Sequence, residues 1–211
     1  MNARVIEPEW LDELPAGDPR AVRSRRDLVR VNALMGNARI VASELRRLGP
    51  VASIAEIGAG DGRFMRAVVT HLGRADIRLV LVDRQPCAPE MIAADVFDWL
   101  ASPGAPFVDA IVANLFLHHF DDASLARMLA LVARSTCAFI ACEPRRSTLA
   151  LAGARLLGLV GCNDVSRHDA VVSVRAGFAG KELSALWPSN GWTREEGPRG
   201  LFSHGFVAKS P

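Results

Sequence analysis

The stretch Val51-Ala-Ser-Ile-Ala-Glu56-Ile57-Gly58-Ala59-Gly60-Asp61-Gly62-Arg63 decides how this chain is read. Its first half, Val51 to Ile57, is mostly apolar and predicts a buried strand. The glycines follow at once, and from Arg63 to Leu72 apolar residues recur at helical spacing. Strand, tight glycine turn and helix begin a βαβ unit, a common site for nucleotides. Glycine tolerates positive φ and lets a ligand come close to the backbone. The N-terminus of the helix offers unpaired N–H groups to an anionic group.

The glycine spacing narrows the reading. A dinucleotide fingerprint places a third glycine where this chain has Arg63. The pattern here is acid-x-G-x-G-x-G. It resembles motif I of the class I methyltransferases, which use S-adenosylmethionine. The resemblance implies that the turn Gly58, Ala59, Gly60, Asp61 and Gly62 passes under the methionine part of that cofactor, and that Glu56 helps to hold its amino group.

Outward from this turn the alternation is steady. Strands are expected over Ile77–Val82, Met91–Ala94, Phe107–Ala113 and Cys137–Cys142, with a helix over Ala123–Arg134 opened by Asp121 and Asp122. Alternation of this kind predicts a parallel sheet. The second strand ends in Asp83-Arg84, about 20 residues beyond the glycine turn, where a ribose-binding carboxylate is expected. By the resemblance, Asp95 takes the adenine amino group and the backbone of Val96 faces the ring. The fourth strand runs out into Asn114-Leu-Phe-Leu-His118-His119, at the edge where open α/β sheets bind ligands. This stretch resembles motif IV and its neighbour in small-molecule methyltransferases of the ubiquinone/menaquinone type.

The flanks complete the picture. Residues 1 to 17 read as an irregular lead-in, with Trp10, Leu11 and Leu14 forming a short amphipathic turn. Asp18-Pro19 starts a helix that carries Leu28, Val31, Leu34 and Met35 at helical spacing. A second helix runs from about Ala38 to Leu48. Leu149–Val160 reads as an apolar helix, the stretch from there to Ala179 as less regular, and Lys181–Trp187 as a helix. Gly191–Glu196 and Leu201–Ala208 read as a strand pair around Gly197-Pro198-Arg199-Gly200. The expected fold is α/β: a Rossmann-like, seven-stranded, mostly parallel sheet with an antiparallel last strand, helices on both faces and an N-terminal helical cap. The expected division is a cap over residues 1–49 and a methyltransferase domain over 50–211.

Composition bounds the function. With 211 residues, half of them hydrophobic, and a net charge of +2, the chain can bury a core and carries no strong signal for nucleic acid. Asn114-Leu115-Phe116-Leu117 lacks the prolines typical of methyltransferases acting on exocyclic nitrogens of nucleic acids, and no cysteine stands there for cytosine chemistry. Cys87, Cys137, Cys142 and Cys162 show no zinc spacing, so reduced thiols, no metal and a cytoplasmic location are expected. No run reaches a membrane span. Peripheral membrane contact stays open through the apolar Leu149–Val160 segment, and an anionic partner through the arginines at 20, 23, 25, 26 and 30, which otherwise form a solvated helix face. There is no tyrosine, so histidine is the natural base near neutral pH. His118, His119 and His168 are the candidates, with Asp169 placed to orient His168; His71 and His204 read as structural. The expected activity is methyl transfer from S-adenosylmethionine to a small apolar or phenolic metabolite, with oxygen slightly preferred over carbon as the methylated atom. A methyltransferase-like domain that binds without turnover, or a nicotinamide-dependent oxidoreductase, are the alternatives.

Overall fold

The computed structural model describes residues 3–15, 17–104, 106–188 and 191–211; Met1, Asn2 and Ala16 of the expected lead-in lie outside them. Strand β1 (Ser53–Ile57) is buried along its whole length and lies between β2 (Arg78–Asp83) and β4 (Val108–Asn114), parallel to both. With β3 (Ile92–Ala93), β5 (Thr136–Pro144), β6 (Thr193–Arg199) and β7 (Ser203–Lys209), the sheet runs β3-β2-β1-β4-β5-β7-β6. β7 is antiparallel to both of its neighbours. This is the expected seven-stranded topology. The strand order reverses between β1 and β4, and a crevice at the carboxyl edge of such a switch point is where open α/β sheets bind ligands.

Alternating residues of the strands feed two apolar layers. On one face, Ile54, Val112 and Ile140 meet Val41 and Leu45 of α3 (Asn37–Leu48) and Met65 and Val68 of α4 (Arg63–Leu72). On the other, Ile57, Ile111 and Phe139 meet Leu100 of α5 (Val96–Ala101), Leu125 and Met128 of α6 (Asp122–Ser135) and Leu183 of α9 (Glu182–Leu186).

The remaining helices gather above the carboxyl edge, and here the structure corrects the sequence reading. The stretch expected to be irregular contains a thirteen-residue helix, α8 (Asp164–Ala176), whose first turn is capped by the Asn163 side chain on the Ser166 N–H. Its buried face includes Ser166 and Asp169, so it lacks the apolar period that marks an amphipathic helix. The helix α2 (Pro19–Met35) begins at Asp18 as expected, but it buries Ala21, Ser24 and Asp27 and leaves Leu28 and Leu34 exposed. Polar side chains bind α2 to α8: the Ser166 hydroxyl lies 2.9 Å from Ser24 Oγ, and Asp27 accepts from the Asn163 N–H at 2.9 Å. Members of the arginine cluster also have protein partners, among them Arg20 on Asp18, Arg23 on the Gly161 carbonyl and Arg30 on Asp27. The apolar segment divides into α7 (Thr148–Leu156), which buries Ala150 and Ala154, and a short 3-10 turn in which Leu159 is 83% exposed. The hairpin turns after Arg199 rather than around Gly197, and Pro198 sits within β6, the edge strand where proline is tolerated.

Candidate active site

The glycine turn and the ends of β1 and β2 form one half of the site. Gly58, Gly60 and Gly62 all have positive φ, near 69°, 55° and 71°, and Gly62 caps α4. Asp83 joins the turn to β2: one carboxylate oxygen accepts the Gly60 N–H at 2.8 Å and the other the Gln85 N–H at 2.8 Å. A carboxylate has about four acceptor positions, so both oxygens retain capacity. Glu56 lies beneath, 2% exposed, and its Oε2 is buried with no hydrogen-bond partner. Burial first, and then the nearby charges of Asp61 and Asp83, raise its pKa well above the usual carboxylate range. An orphaned buried acid of this kind fits a cationic ligand group. Asp61 accepts from the Arg63 N–H and pairs with the Arg63 guanidinium. Asp95 caps α5 through the Phe97 N–H at 2.8 Å, Val96 is buried, and Arg84 is exposed just beyond β2.

The end of β4 shapes the floor between the two halves. The structure gives Asn114 a tie to the N-terminal helices: its Oδ1 accepts from Asn37 at 2.9 Å and its Nδ2 donates to Asn32 at 3.2 Å. Leu115, next in sequence, has φ 51°, the one positive value at a non-glycine among the described residues. Such strain persists where surroundings over-determine it, commonly beside ligands. It turns the chain so that the Phe116 ring packs on Gly58, and a Cβ built on Gly58 would lie 2.2 Å from that ring.

The histidine pair follows, and its members differ. His118 is 3% exposed. Its Nδ1 lies 2.8 Å from Glu143 Oε2, and its Nε2 faces Glu9 Oε1 at 3.5 Å. Burial alone would lower its pKa, but the Glu143 hydrogen bond and the nearness of both carboxylates outweigh that and raise it to about 9. Both ring nitrogens of His118 thus face carboxylates, and the imidazole is held between them. Glu143, at the end of β5, also accepts the N–H groups of Phe116 and Leu117, each at 3.0 Å. His119 is exposed to the cavity, yet crowding by protein, and next the charge of His118, lower its pKa. It therefore presents a neutral imidazole.

Residues 4–14 form a strap over this region. Arg4 reaches the Phe120 and Ala176 carbonyls and Asp122, with its guanidinium 4.3 Å from the centre of the Phe178 ring. Glu9 takes a hydrogen bond from Ser173, and α1 (Trp10–Glu13) has its Trp10 and Leu11 N–H groups on the Asp169 carboxylate. The strap also carries Asp12, whose carboxyl pKa is raised, chiefly by burial. Under it lies a cavity of about 400 Å³ lined by residues that include Ile6, Pro8, Glu9, His118, His119 and Val172. His168 lies elsewhere: its ring stacks on Trp10 at 3.8 Å, its Nδ1 is 3.0 Å from Asp169, and it lines a separate cavity with Arg155 and Val171. The structure thus joins His168 to Asp169 as the sequence suggested, but does not bring it to the His118–His119 cavity. His204 is a core residue paired with Glu196 at 2.9 Å.

Sequence reasoning missed Glu9 and Glu143. Glu143 carried a signal, an acid at the carboxyl end of a predicted parallel strand. Glu9 carried none, since its partners lie more than 100 residues away.

No protein-family model matches the chain, and no curated protein matches it in sequence. Solved structures do match. The plantazolicin methyltransferase BpumL in complex with SAH is similar with a TM-score of 0.69 at 12% identity, over 92% of each chain. An O-methyltransferase family protein from Burkholderia thailandensis aligns with a TM-score of 0.63 at 16% identity, over 92% of this chain and 61% of that one. The mitomycin 7-O-methyltransferase MmcR aligns with a TM-score of 0.62 at 20% identity, over 95% of this chain and 60% of that one. At these identities the likeness establishes the fold, which this chain shares with these methyltransferases.

Proposed function

We propose that this chain transfers a methyl group from S-adenosylmethionine to a small apolar or phenolic acceptor, at oxygen in preference to carbon. The observation that carries the reading is the buried Glu56 carboxyl, which has an oxygen without a partner directly under a turn of positive-φ glycines. Methyltransferase neighbours in complex with SAH support it, as do the two neighbours named as O-methyltransferases.

The cofactor would supply the electrophilic methyl group. Glu56 would take its ammonium group as a charge-assisted partner. The free acceptor positions of Asp83 would take ribose hydroxyls, and the Asp95 oxygen not used on Phe97 would take the adenine amino group beside Val96. The turn from Gly58 to Gly62 would give bare backbone for close approach, and Arg84 would flank the ribose. Methyl transfer needs alignment of donor and acceptor and exclusion of water. The strap would exclude water, and Ile6, Pro8 and Val172 would give the acceptor an apolar wall. His119, neutral and open to that cavity, would take the acceptor's proton. Exposed Leu149, Leu156, Leu159 and Val160 favour peripheral contact with a membrane that carries a lipid-like acceptor. No helix among the described residues is long and apolar enough to cross a membrane.

Calorimetric titration with S-adenosylhomocysteine, with NAD in a parallel cell, tests the cofactor. Binding of the first alone is expected; binding of NAD alone would overturn the reading. With a panel of phenols, His119→Ala is expected to lose methyl transfer while retaining affinity for S-adenosylhomocysteine. Full activity in that variant would remove His119 from the reaction.

A further inference from the structure

We propose that Glu9, His118 and His119 form a site for a divalent transition cation of the zinc type, open toward the cavity under the strap. The three residues offer ligand atoms that all lie within 4.8 Å of one another. In a tetrahedral zinc shell, neighbouring ligand atoms stand about 3.3 Å apart. His118 Nε2 and Glu9 Oε1 are already 3.5 Å apart, so two of the three ligands stand nearly at coordination spacing. The His119 ring lies 4.2 Å from the His118 ring, tilted by 33°, and its exposure leaves it room to close the remaining distance.

A second observation points to a ligand. His118 Nε2 is buried, aimed into the cluster and without a hydrogen-bond partner. The other ring nitrogen is held by the buried Glu143 carboxylate at 2.8 Å. The cation would displace the proton on Nε2 into solvent, while the Glu143 carboxylate keeps the proton on Nδ1, the usual support of a metal-bound histidine. Glu9 is held in turn by Ser173. Glu9 and Glu143 together supply the negative charge that a dication needs in a buried place. Two histidines and one glutamate with an open position form a donor set suited to catalytic zinc, and less so to calcium or magnesium, which prefer all-oxygen shells. The fourth position faces a cavity of about 400 Å³, room for a water or an oxygen of a small molecule.

Binding of the cation is independent of the activity proposed above; its role rests on that reading. With the cation in place His119 is a ligand and not the base. A phenolic hydroxyl coordinated at the open position then releases its proton to water more readily, because the cation stabilises the phenolate.

The test uses the full-length, tag-free chain, stripped with a chelator and titrated with Co(II). The expected result is one equivalent bound, with the intense visible band of a four-coordinate site, displaced by Zn(II). Glu9→Gln and His119→Ala should each weaken binding at least tenfold while circular dichroism stays unchanged; His71→Ala should leave it intact. A wild-type chain with no such band, or a band that survives in both variants, would overturn the site. S-adenosylhomocysteine is titrated into the same preparation. Cofactor binding without the cobalt band refutes the cation site and leaves the methyl-transfer reading; the band without cofactor binding does the reverse.

Discussion

Glu56 and Glu143 hold the same place in two strands of one sheet, next to last before the carboxyl edge, and are 2% and 0% exposed. Their surroundings are opposite. Glu143 accepts backbone N–H groups from Phe116, Leu117 and His118 and meets the His118 ring. Glu56 has one oxygen with no partner at all. A buried polar group is stabilising only when its partners are present, and costly otherwise. One glutamate therefore completes the fold, and the other is left incomplete by it. The fold is stabilised at β5 and carries an unmet demand at β1, which a cationic ligand can meet.

The largest expected effect tests the completed member. Glu143→Ala should destabilise the protein by about 3–5 kcal/mol, the usual cost of breaking a buried pair by removing one partner. Chemical denaturation measures it. Glu143→Gln should cost less, since an amide oxygen can still accept from the loop. A loss under about 1 kcal/mol for Glu143→Ala would break the contrast, because surface substitutions change stability by no more.

Glu56→Gln should act in the opposite sense. The carboxyl titrates near 4.5 in the unfolded chain and well above that when folded. The folded state thus keeps this proton longer, and stability from this group is lost as pH rises from 4.5 through the raised value. Glutamine carries no such penalty. Ligand-free Glu56→Gln should be at least as stable as the parent at pH 8, and less dependent on pH, in thermal melts. Its affinity for S-adenosylhomocysteine should fall about 10–100-fold, the worth of one charge-assisted hydrogen bond. Unchanged affinity would mean that the orphaned oxygen serves no ligand.

The same contrast explains what was legible in the sequence. Glu56 could be read because its context is local: strand, glycines and helix lie within 22 residues, 51 to 72, and Gly60 finds Asp83 across one neighbouring strand. β1, β2, β4, β5 and β7 were legible for the same reason, since each carries its own apolar run, whereas β6, Thr193–Arg199, carries none. The partners of Glu143 and His118 lie on other elements, with Glu9 more than 100 residues away, so no window of sequence contains the arrangement. The helix α8 was hidden by chemistry rather than distance. Its inner face meets Ser24, Asp27 and the N–H groups of α1, so its buried positions include polar residues. Leu28 and Leu34 misled for the mirror reason, as apolar residues at helical spacing on an outward face.

Gly58→Ala sharpens the β1 side further. The substitution places a Cβ 2.2 Å from the Phe116 ring at a residue with φ 69°. The left-handed backbone alone should cost about 1–2 kcal/mol, and overpacking against the ring about 1–3 kcal/mol more. Making the same change in a Phe116→Ala background separates the two. The backbone cost should remain and the packing cost should vanish, which a double-mutant cycle reads as a coupling energy.

The smallest effect concerns the strap. Asp169 caps α1 from outside, accepting the Trp10 and Leu11 N–H groups at 2.9 and 3.1 Å. Asp169→Ala should cost about 0.5–2 kcal/mol, the range for a lost helix cap. The loss should be local, because Arg4 still anchors the strap through Ala176, Phe120 and Asp122. Hydrogen exchange should accelerate at Trp10 and Leu11 and stay slow along β1 and β5. Affinity for S-adenosylhomocysteine should not change if the strap serves the acceptor side alone. A weakened affinity would place the strap over both halves.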